Sequence, residues 1–149
     1  MDQGELSRPI WHGVWTLDQL KELTRDTLVD HMGIEFTSIS DTSLSARRPV
    51  GPQTVQRLGY LHGGASLALA ETVGSIASQM CIDPAFVSLG LEINANHVRA
   101  VRQGHTVEAT ARPIHLGRRT QIWNVRVESD EGKLACIARL TTSVQPRQG

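Results

Sequence analysis

The stretch Tyr60–Met80 contains mostly small and apolar residues around a single carboxylate. It reads YLHGGASLALAETVGSIASQM, and its pattern predicts a helix over Ala65–Met80. The helix, about four turns long, follows the pair Gly63-Gly64 and precedes Asp83-Pro84, which are typical helix boundaries. No charged face opposes an apolar face, and a helix that is apolar or small on every side is normally buried. The rest of the chain is therefore expected to fold around this helix.

Glu71 is the carboxylate in the middle of this helix. An ionised carboxylate is costly to bury without partners, so such residues are rare unless they have a function. Two turns earlier, Gly63-Gly64 offers unhindered N–H groups at the positive end of the helix dipole. One helix thus supplies two of the groups that acyl transfer requires. The simpler alternative is that Glu71 is solvated at a helix end or paired with an arginine.

The composition gives the chain no strong electrostatic preference. Its 149 residues suit one domain, and 15 basic residues balance 15 acidic ones, which argues against nucleic acid or an anionic membrane as partner. The longest apolar run is far short of the ~20 residues that cross a bilayer. The first residues lack the pattern of a signal peptide. Cys81 and Cys136 are far apart among apolar residues, so we expect reduced core cysteines in a cytoplasmic protein.

The first part of the chain predicts a loose segment followed by a helix and two strands. Residues 1–15 are expected to be loose, with Trp11 and Trp15 able to pack back onto the body. A single domain over 16–149 follows. Its first helix begins with the capping-box spacing of Thr16 and Gln19 and is expected to end near Met32-Gly33. Two strands over Ile34–Ser40 and Ser43–Arg48, and a loop over 49–59, lead into the central helix.

After Pro84 the apolar pattern changes to a period of two. Four alternating runs, which begin near Val87, Thr106, Trp123 and Leu134, predict strands. The joints at 102–104, 115–117 and 130–132 are short and contain glycine, which favours four consecutive strands linked by hairpins. The prediction is an α+β domain in which a curved antiparallel sheet wraps round one long central helix.

The residue types also exclude several chemistries. No serine lies in a G-x-S-x-G turn, and the histidines and cysteines lack the spacing of metal ligands. No phosphate-binding loop or dinucleotide motif is present. Glu71 and Ser75 are four residues apart, so they share one helix face, where a water or an acyl group could contact both. These features predict a hydrolase that needs no metal and no cofactor.

Three motifs carry a resemblance to a known family: H-G-G-A-x-x-x-x-x-E on the helix, then GLEINANHVRA, then HLGRR. Together they resemble the hotdog-fold acyl-CoA thioesterases, over about residues 17–144. The similarity is to the branch with a catalytic glutamate on the helix. That branch includes 4-hydroxybenzoyl-CoA thioesterases, 1,4-dihydroxy-2-naphthoyl-CoA hydrolases and aryl-carrier proofreading thioesterases. The resemblance implies the hotdog fold for this chain.

The resemblance also implies catalytic roles. Glu71 would be the nucleophile or the general base that attacks the thioester, and the Gly63 N–H would polarise the thioester carbonyl. Gln56 and His62 would hold that carbonyl, and Ser75 would position water or the aryl end of the substrate. His62 could instead be a structural turn residue, and Ser75 could be present only because small residues allow close packing.

A second set of residues would line the coenzyme A channel: Gly90, His97, Val98, Arg99, Ala100, His115, Leu116, Gly117, Arg118, Arg119 and Thr120. Several arginines fall at the ends of adjacent predicted strands, where they could meet on the phosphates of one coenzyme A. They could also form an ordinary solvated face, and His97 could be a hydrogen-bonded histidine at a strand end. Arg118 departs from the family pattern, because close relatives often have a small polar residue there.

The sequence thus predicts hydrolysis of an acyl-CoA thioester with an aromatic or other bulky acyl group. Coenzyme A enters as part of the substrate, and no nucleic acid or membrane partner is expected. The resemblance implies a homodimer at minimum, and a homotetramer built as a dimer of dimers. Two alternatives stay open: a non-catalytic domain that binds or senses acyl-CoA, and a hotdog enoyl-CoA hydratase or dehydratase.

Overall fold

Six antiparallel strands curve around one long helix in the computed structural model of this protein, which describes residues 8–149. In chain order the elements are α1 Leu17–Leu23, α2 Leu28–His31, β1 Glu35–Ile39, β2 Leu44–Pro49, α3 Gly63–Met80, β3 Phe86–His97, β4 Thr106–Leu116, β5 Thr120–Ser129 and β6 Leu134–Pro146. This architecture confirms the α+β prediction. None of the helices in this part of the chain is long and apolar enough to span a bilayer.

The central helix α3 is buried against the concave face of the sheet, as its composition predicted. Leu69, Val73 and Ala77 are fully buried on its inner side, where Trp123 and Leu140 of the sheet are also fully buried. Strand residues alternate between this core and the outer face, since successive side chains of a strand point in opposite directions. Close packing depends on small helix residues: a Cβ at Gly74 would lie 2.6 Å from Leu140 Cδ2.

The order of strands in the sheet is β1-β2-β4-β5-β6-β3, and every pair is antiparallel. The prediction of four consecutive strands linked by hairpins is therefore wrong at its first joint. Strand β3 pairs with β6 at the sheet edge, and β4 pairs with β2. The turn at 102–104 binds the loop before α3 instead: the Gly104 N–H donates to Val50 O at 2.9 Å, and Gln103 N–H to Gly59 O at 3.0 Å. Alternation predicts a strand but does not specify its partner.

The first helix is shorter than predicted. The capping box of Thr16 and Gln19 is confirmed, and both of its hydrogen bonds are present. However, α1 ends at Leu23, and α2 is a separate single turn. The Thr24 hydroxyl donates to Leu20 O at 2.9 Å, and Asp26 has a left-handed φ of 57°. Threonine bonded back to the preceding turn and aspartate in a left-handed conformation both interrupt a helix.

Residues 8–15 form no helix or strand, but several of them contact the sheet and α3. The Trp11 ring stacks on Trp123 with 6.5 Å between ring centroids, and its Nε1–H donates to Ser40 O at 2.7 Å. The His12 N–H donates to Met80 O at 2.8 Å. Residues 1–7 of the segment predicted to be loose lie outside the described residues. The division of the chain into a segment 1–15 and a domain 16–149 stays a prediction.

We expect Trp11→Ala to lower the free energy of unfolding by about 2–3 kcal/mol, because it removes a stacked aromatic ring and a hydrogen bond. Urea unfolding measures the change. Val14→Ala is the matched control in the same segment, because Val14 is 90% exposed and its loss should cost less than about 0.5 kcal/mol. Equal stability of the Trp11 variant and the wild type would show that the segment does not stabilise the domain.

Candidate active site

The N-terminus of α3 presents a backbone N–H that has no partner in the described chain. His62 is the N-cap residue, and its Nδ1 accepts from the Gly64 N–H at 2.8 Å. The Ala65 and Ser66 N–H groups bond to His62 O. Within residues 8–149, no hydrogen bond uses the Gly63 N–H. This donor lies in the first turn, where the helix dipole favours negative charge.

The role of His62 is visible in the same contact. Because Nδ1 accepts from a backbone N–H, the neutral ring must carry its proton on Nε2. The His62 N–H also donates to Thr54 O at 2.8 Å, which ties the preceding loop to the helix start. The geometry thus gives His62 a structural function as helix cap, and this function fixes the direction of the Gly63 N–H.

Gln56 lies beside this helix start and has its amide oriented by the backbone. Its Oε1 accepts from the Leu58 N–H at 2.5 Å and, more weakly, from the Tyr60 N–H at 3.5 Å. The oxygen is therefore engaged, which leaves the Nε2 group as a donor. Gln56 and Gly63 line the same cavity, of about 400 Å³. Two N–H donors near one cavity form an arrangement that can bind a developing oxyanion.

Glu71 is half-buried near the middle of α3, at contact distance from β3. Ser75 Oγ donates to Glu71 Oε1 at 3.1 Å, as their spacing predicted. Gly90 of β3 faces the same carboxylate, since any Cβ at that position would collide with Oε1. No salt bridge in the described part of the chain includes Glu71. The structure thus joins three of the predicted residues, Glu71, Ser75 and Gly90, around a carboxylate without a cationic partner.

The end of β3 forms the wall of the cavity at Gly63. His97, Val98, Arg99 and Ala100, which the resemblance assigns to a coenzyme A channel, all line it. The His97 ring covers the helix start so closely that a Cβ at Gly63 would lie 3.0 Å from Nε2. Glycine at 63 thus allows both a free N–H and the close approach of this ring.

The 115–120 segment lies elsewhere. It forms the turn between β4 and β5, where the His115 ring packs over Gly117 and the Gly117 N–H donates to Thr120 O at 3.0 Å. Residues 116–119 line a larger cleft of about 1010 Å³ together with Phe86 at the start of β3. That cleft does not contain Gly63, and Glu71 lines neither of the two cavities. Size alone does not identify the reaction centre, and the unpaired donor favours the smaller cavity.

The two groups of predicted coenzyme A residues lie at opposite ends of the sheet. The Arg99 N–H donates to Ala135 O, whereas Arg119 O accepts from the Val144 N–H. Positions 135 and 144 are nine residues apart on β6, which corresponds to about 30 Å. Within one chain, the arginines at 99 and 102 therefore cannot meet those at 118 and 119 on one pyrophosphate. The expectation rested on their placement at the ends of adjacent predicted strands. However, residues 99–102 precede the start of β4 and residues 118–119 follow its end, so the two pairs of arginines lie at opposite ends of that strand.

Several cavity residues were not predicted. Tyr60 lines the cavity and packs against the Arg102 guanidinium, whose Cζ lies 5.2 Å from the ring centroid. Ser66 lines it from the first turn of α3. Ser66 is three residues after Gly63, so helical spacing alone could have placed it on the same face. Tyr60 has no comparable sequence signal. It lies at the cavity because the connection from β3 to β4, residues 98–105, passes beside it, and the path of that connection depends on the strand order.

Neither cysteine is suited to act as a nucleophile. Both are free thiols, as predicted, and Cys136 is buried. Burial raises the pKa of Cys81 to about 12 and also raises the pKa of Cys136. The reactive form of cysteine is the thiolate, which is scarce near neutral pH when the pKa is raised.

Comparison with known proteins agrees with this geometry. The sequence profile described as Thioesterase superfamily matches residues 58–136, which include α3 and the strands β3 to β5. The 1,4-dihydroxy-2-naphthoyl-CoA hydrolase of Escherichia coli is 42% identical over 135 residues, which cover 91% of this chain and 98% of the hydrolase. A proofreading thioesterase, EntH, of Cronobacter turicensis is 44% identical over 135 residues, with 91% and 98% covered.

A solved structure with the same fold is that of the thioesterase HI1161 from Haemophilus influenzae, with a TM-score of 0.89 and 44% identity over 92% of this chain and 95% of that one. The chain therefore belongs to the Thioesterase superfamily. It has the hotdog fold and is a thioester hydrolase, as the names of these relatives and the fold together show.

We expect Gly90→Ala to lower kcat at least tenfold, because the added methyl group displaces the Glu71 carboxylate. Steady-state hydrolysis of benzoyl-CoA measures the effect, and thermal melting checks the fold. In a double-mutant cycle with Glu71→Gln, the two losses should not add, because both act on one carboxylate. Additive losses in the double variant would mean that Gly90 acts independently of Glu71.

Proposed function

We propose that this chain hydrolyses acyl-CoA thioesters to a free acid and coenzyme A, with Glu71 and the Gly63 N–H as its central groups. The observation that carries the proposal is the unpaired Gly63 N–H at the start of α3, in one cavity with the Gln56 amide. A thioester carbonyl becomes negative when it is attacked. Fixed N–H donors aimed at that oxygen are usually the largest catalytic contribution.

The proposed reaction proceeds by addition and elimination. The carbonyl oxygen accepts from the Gly63 N–H and from Gln56 Nε2. In the general-base route, Glu71 takes a proton from water, whose oxygen adds to the carbonyl carbon. The tetrahedral intermediate then expels the thiolate of coenzyme A, which takes the proton back from Glu71. In the covalent route, Glu71 itself adds to the carbonyl carbon, and the C–S bond breaks to give an anhydride and the thiolate of coenzyme A. Water then cleaves the anhydride to the free acid and the Glu71 carboxylate, and the proton that it releases goes to the thiolate. Both routes use only groups of the chain and water.

Ser75 fits either route. Its hydroxyl donates to Glu71 Oε1, so it holds one carboxylate oxygen in place and leaves the other available for reaction. The position four residues along the same helix makes this contact rigid. We assign Ser75 as the residue that orients Glu71, in addition to the implied contact with water or the aryl group.

We propose an aromatic or other bulky acyl group for the substrate. Support comes from the relatives, one of which is named as a hydrolase of 1,4-dihydroxy-2-naphthoyl-CoA. A thioester on a carrier protein is the alternative, which the resemblance to aryl-carrier proofreading thioesterases implies. The two free cysteines are in keeping with a reducing, cytoplasmic location.

The active site is proposed to be shared between two subunits. Gly63 and Glu71 are eight residues apart on one helix, which is about 12 Å along the axis. The glutamate side chain leans towards the N-terminus and recovers about half of that distance, which leaves a marginal gap for both groups to contact one thioester carbonyl. Strand β3 lies at the edge of the sheet and pairs on one side only, with β6. Its Leu89 and Leu91 are 52% and 62% exposed. A long apolar edge strand favours pairing with another strand.

Antiparallel pairing of two β3 strands about a two-fold axis would also bring together the two groups of predicted coenzyme A residues, 97–100 of one chain and 116–119 of the other. The end of one β3, at His97, would approach the start of the other, at Phe86. Phe86 shares a cleft with residues 116–119, so that segment of one chain would approach residues 97–100 of the other. This arrangement supports the predicted channel for coenzyme A between chains. Two such dimers would form the homotetramer that the resemblance implies.

Glu71→Gln should keep the fold and leave KM for benzoyl-CoA within about threefold, while kcat falls by ~10²–10⁴. Glutamine preserves the shape and the bond from Ser75 but removes the negative charge and the basicity. Steady-state kinetics measure both constants, and circular dichroism checks the fold. If the variant retains more than about a tenth of the wild-type kcat, Glu71 is neither base nor nucleophile.

Arg119→Ala should raise KM for acyl-CoA about tenfold with little change in kcat, because a charged hydrogen bond to a phosphate is lost. An acyl-pantetheine thioester, which lacks the nucleotide, should be hydrolysed as well as by the wild type. Arg126→Ala is the control, since this exposed arginine pairs with Glu128 on β5. Equal losses with both substrates would mean that Arg119 is structural.

A further inference from the structure

Arg48 is a buried arginine at the core-facing side of β2. It follows Leu44 and Ala46 at alternate positions, and all three side chains point to the inside of the sheet. Arg48 is 3% exposed, whereas its neighbour Arg47 is exposed and pairs with Glu35 on the outer face. Directly across the sheet, Arg48 lies opposite the fully buried Val107. The guanidinium thus occupies a position where the pattern calls for an apolar residue.

This guanidinium lacks an anionic partner within residues 8–149. Its one hydrogen bond runs from Nε to Pro49 O at 3.3 Å, a long contact to the adjacent residue. Its Nη1 is buried and has no acceptor. Every other buried side-chain nitrogen or oxygen in the described part of the chain has a hydrogen-bond partner. Burial lowers the pKa of Arg48, but guanidinium stays protonated in proteins. A buried charge normally has a partner of opposite charge.

Arg48 lines a cavity of about 450 Å³ between the end of α2 and the loop after β2. His31, Gln53 and Thr54 supply further polar side chains to its wall. None of the described residues that line the cavity is acidic. Its volume is in the range of cavities that hold small ligands. A cavity with a buried cation, polar neighbours and no carboxylate is complementary to an anion.

We propose that this cavity binds a small oxyanion, a carboxylate or phosphate group, through the Arg48 guanidinium. The planar guanidinium matches the geometry of two oxygens of such a group. Because Nη1 is closed off from solvent, its bond to the anion requires a small rotation of the side chain towards the cavity. The site differs from the thioester site, since the two cavities share no lining residue. Anion binding at Arg48 is a property separate from the proposed hydrolysis and does not depend on it.

The loop at this cavity continues into the catalytic region. Thr54 forms part of the cavity wall, and its carbonyl accepts from the N–H of His62, the cap of α3. Thr54 is also anchored to Gly51 through both its backbone N–H and its hydroxyl, at 3.1 and 3.2 Å. An anion at Arg48 would therefore stabilise the segment that precedes Gln56 and His62.

The test compares melting temperatures of the wild type, Arg48→Met and Arg47→Met at constant ionic strength, with chloride replaced by phosphate or by acetate. A saturable rise is expected for the wild type, of ~4 °C at a roughly tenfold excess over Kd. Arg48→Met should fold, because an apolar side chain suits this position, and should show no rise. Arg47→Met, which alters the neighbouring exposed arginine, should respond as the wild type does.

A rise with phosphate alone or with acetate alone assigns the preferred group and supports the site. The absence of a saturable rise with both anions, or an equal rise in Arg48→Met, overturns the proposal. If Arg48→Met does not fold, an NMR titration of the wild type gives the answer. Phosphate or acetate should then shift the Nε–H resonance of Arg48, assigned by its loss in Arg48→Lys. An unchanged resonance with both anions likewise overturns the proposal.

Discussion

The unsatisfied N–H at the start of α3 is the constraint on which the rest of this structure depends. A helix must begin somewhere, and its first N–H groups have no partner within the helix. Here His62 caps the Gly64 N–H and so leaves the Gly63 N–H for another acceptor. The sheet wraps α3 so that this donor lies in a cavity rather than at an open surface. Burial of the helix, which stabilises the fold, thereby also creates a preorganised donor.

The same wrapping determines where the second reactive group lies. Glu71 is two turns further along α3, against Gly90 of the edge strand β3. Strand β3 is an edge strand, so one of its two sides has no neighbouring strand within the chain. The Glu71 carboxylate is therefore next to the edge that is best suited to pair with a second chain. The proposed division of one reaction centre between two chains thus follows from helix length and strand order together.

Local patterns predicted the elements well, and long-range topology poorly. The buried α3, the capping box at Thr16 and the position of most strands follow from spacing and propensity, which act within a few residues. The pairing of β3 with β6 does not, because alternation is the same for any partner. For the site, the contact of Ser75 with Glu71 followed from helical spacing. The separation of residues 97–100 from 116–119 already followed from the predicted joints, since these lie at the two ends of β4. The unpaired Arg48 depends on packing across the sheet and could not be predicted.

Subunit exchange between two inactive variants, Glu71→Ala and Gly63→Pro, tests the shared reaction centre most directly. Proline removes the N–H yet suits the first helical position, since His62 has φ −63° and ψ 133°. Gly63→Ala, which adds a Cβ but keeps the N–H, controls for contact with His97. Each variant must first sediment as the wild type does. After exchange, hybrid dimers should have one intact site, and about a quarter of wild-type activity should return. Demonstrated exchange without any activity would place both groups in one chain and contradict the shared site.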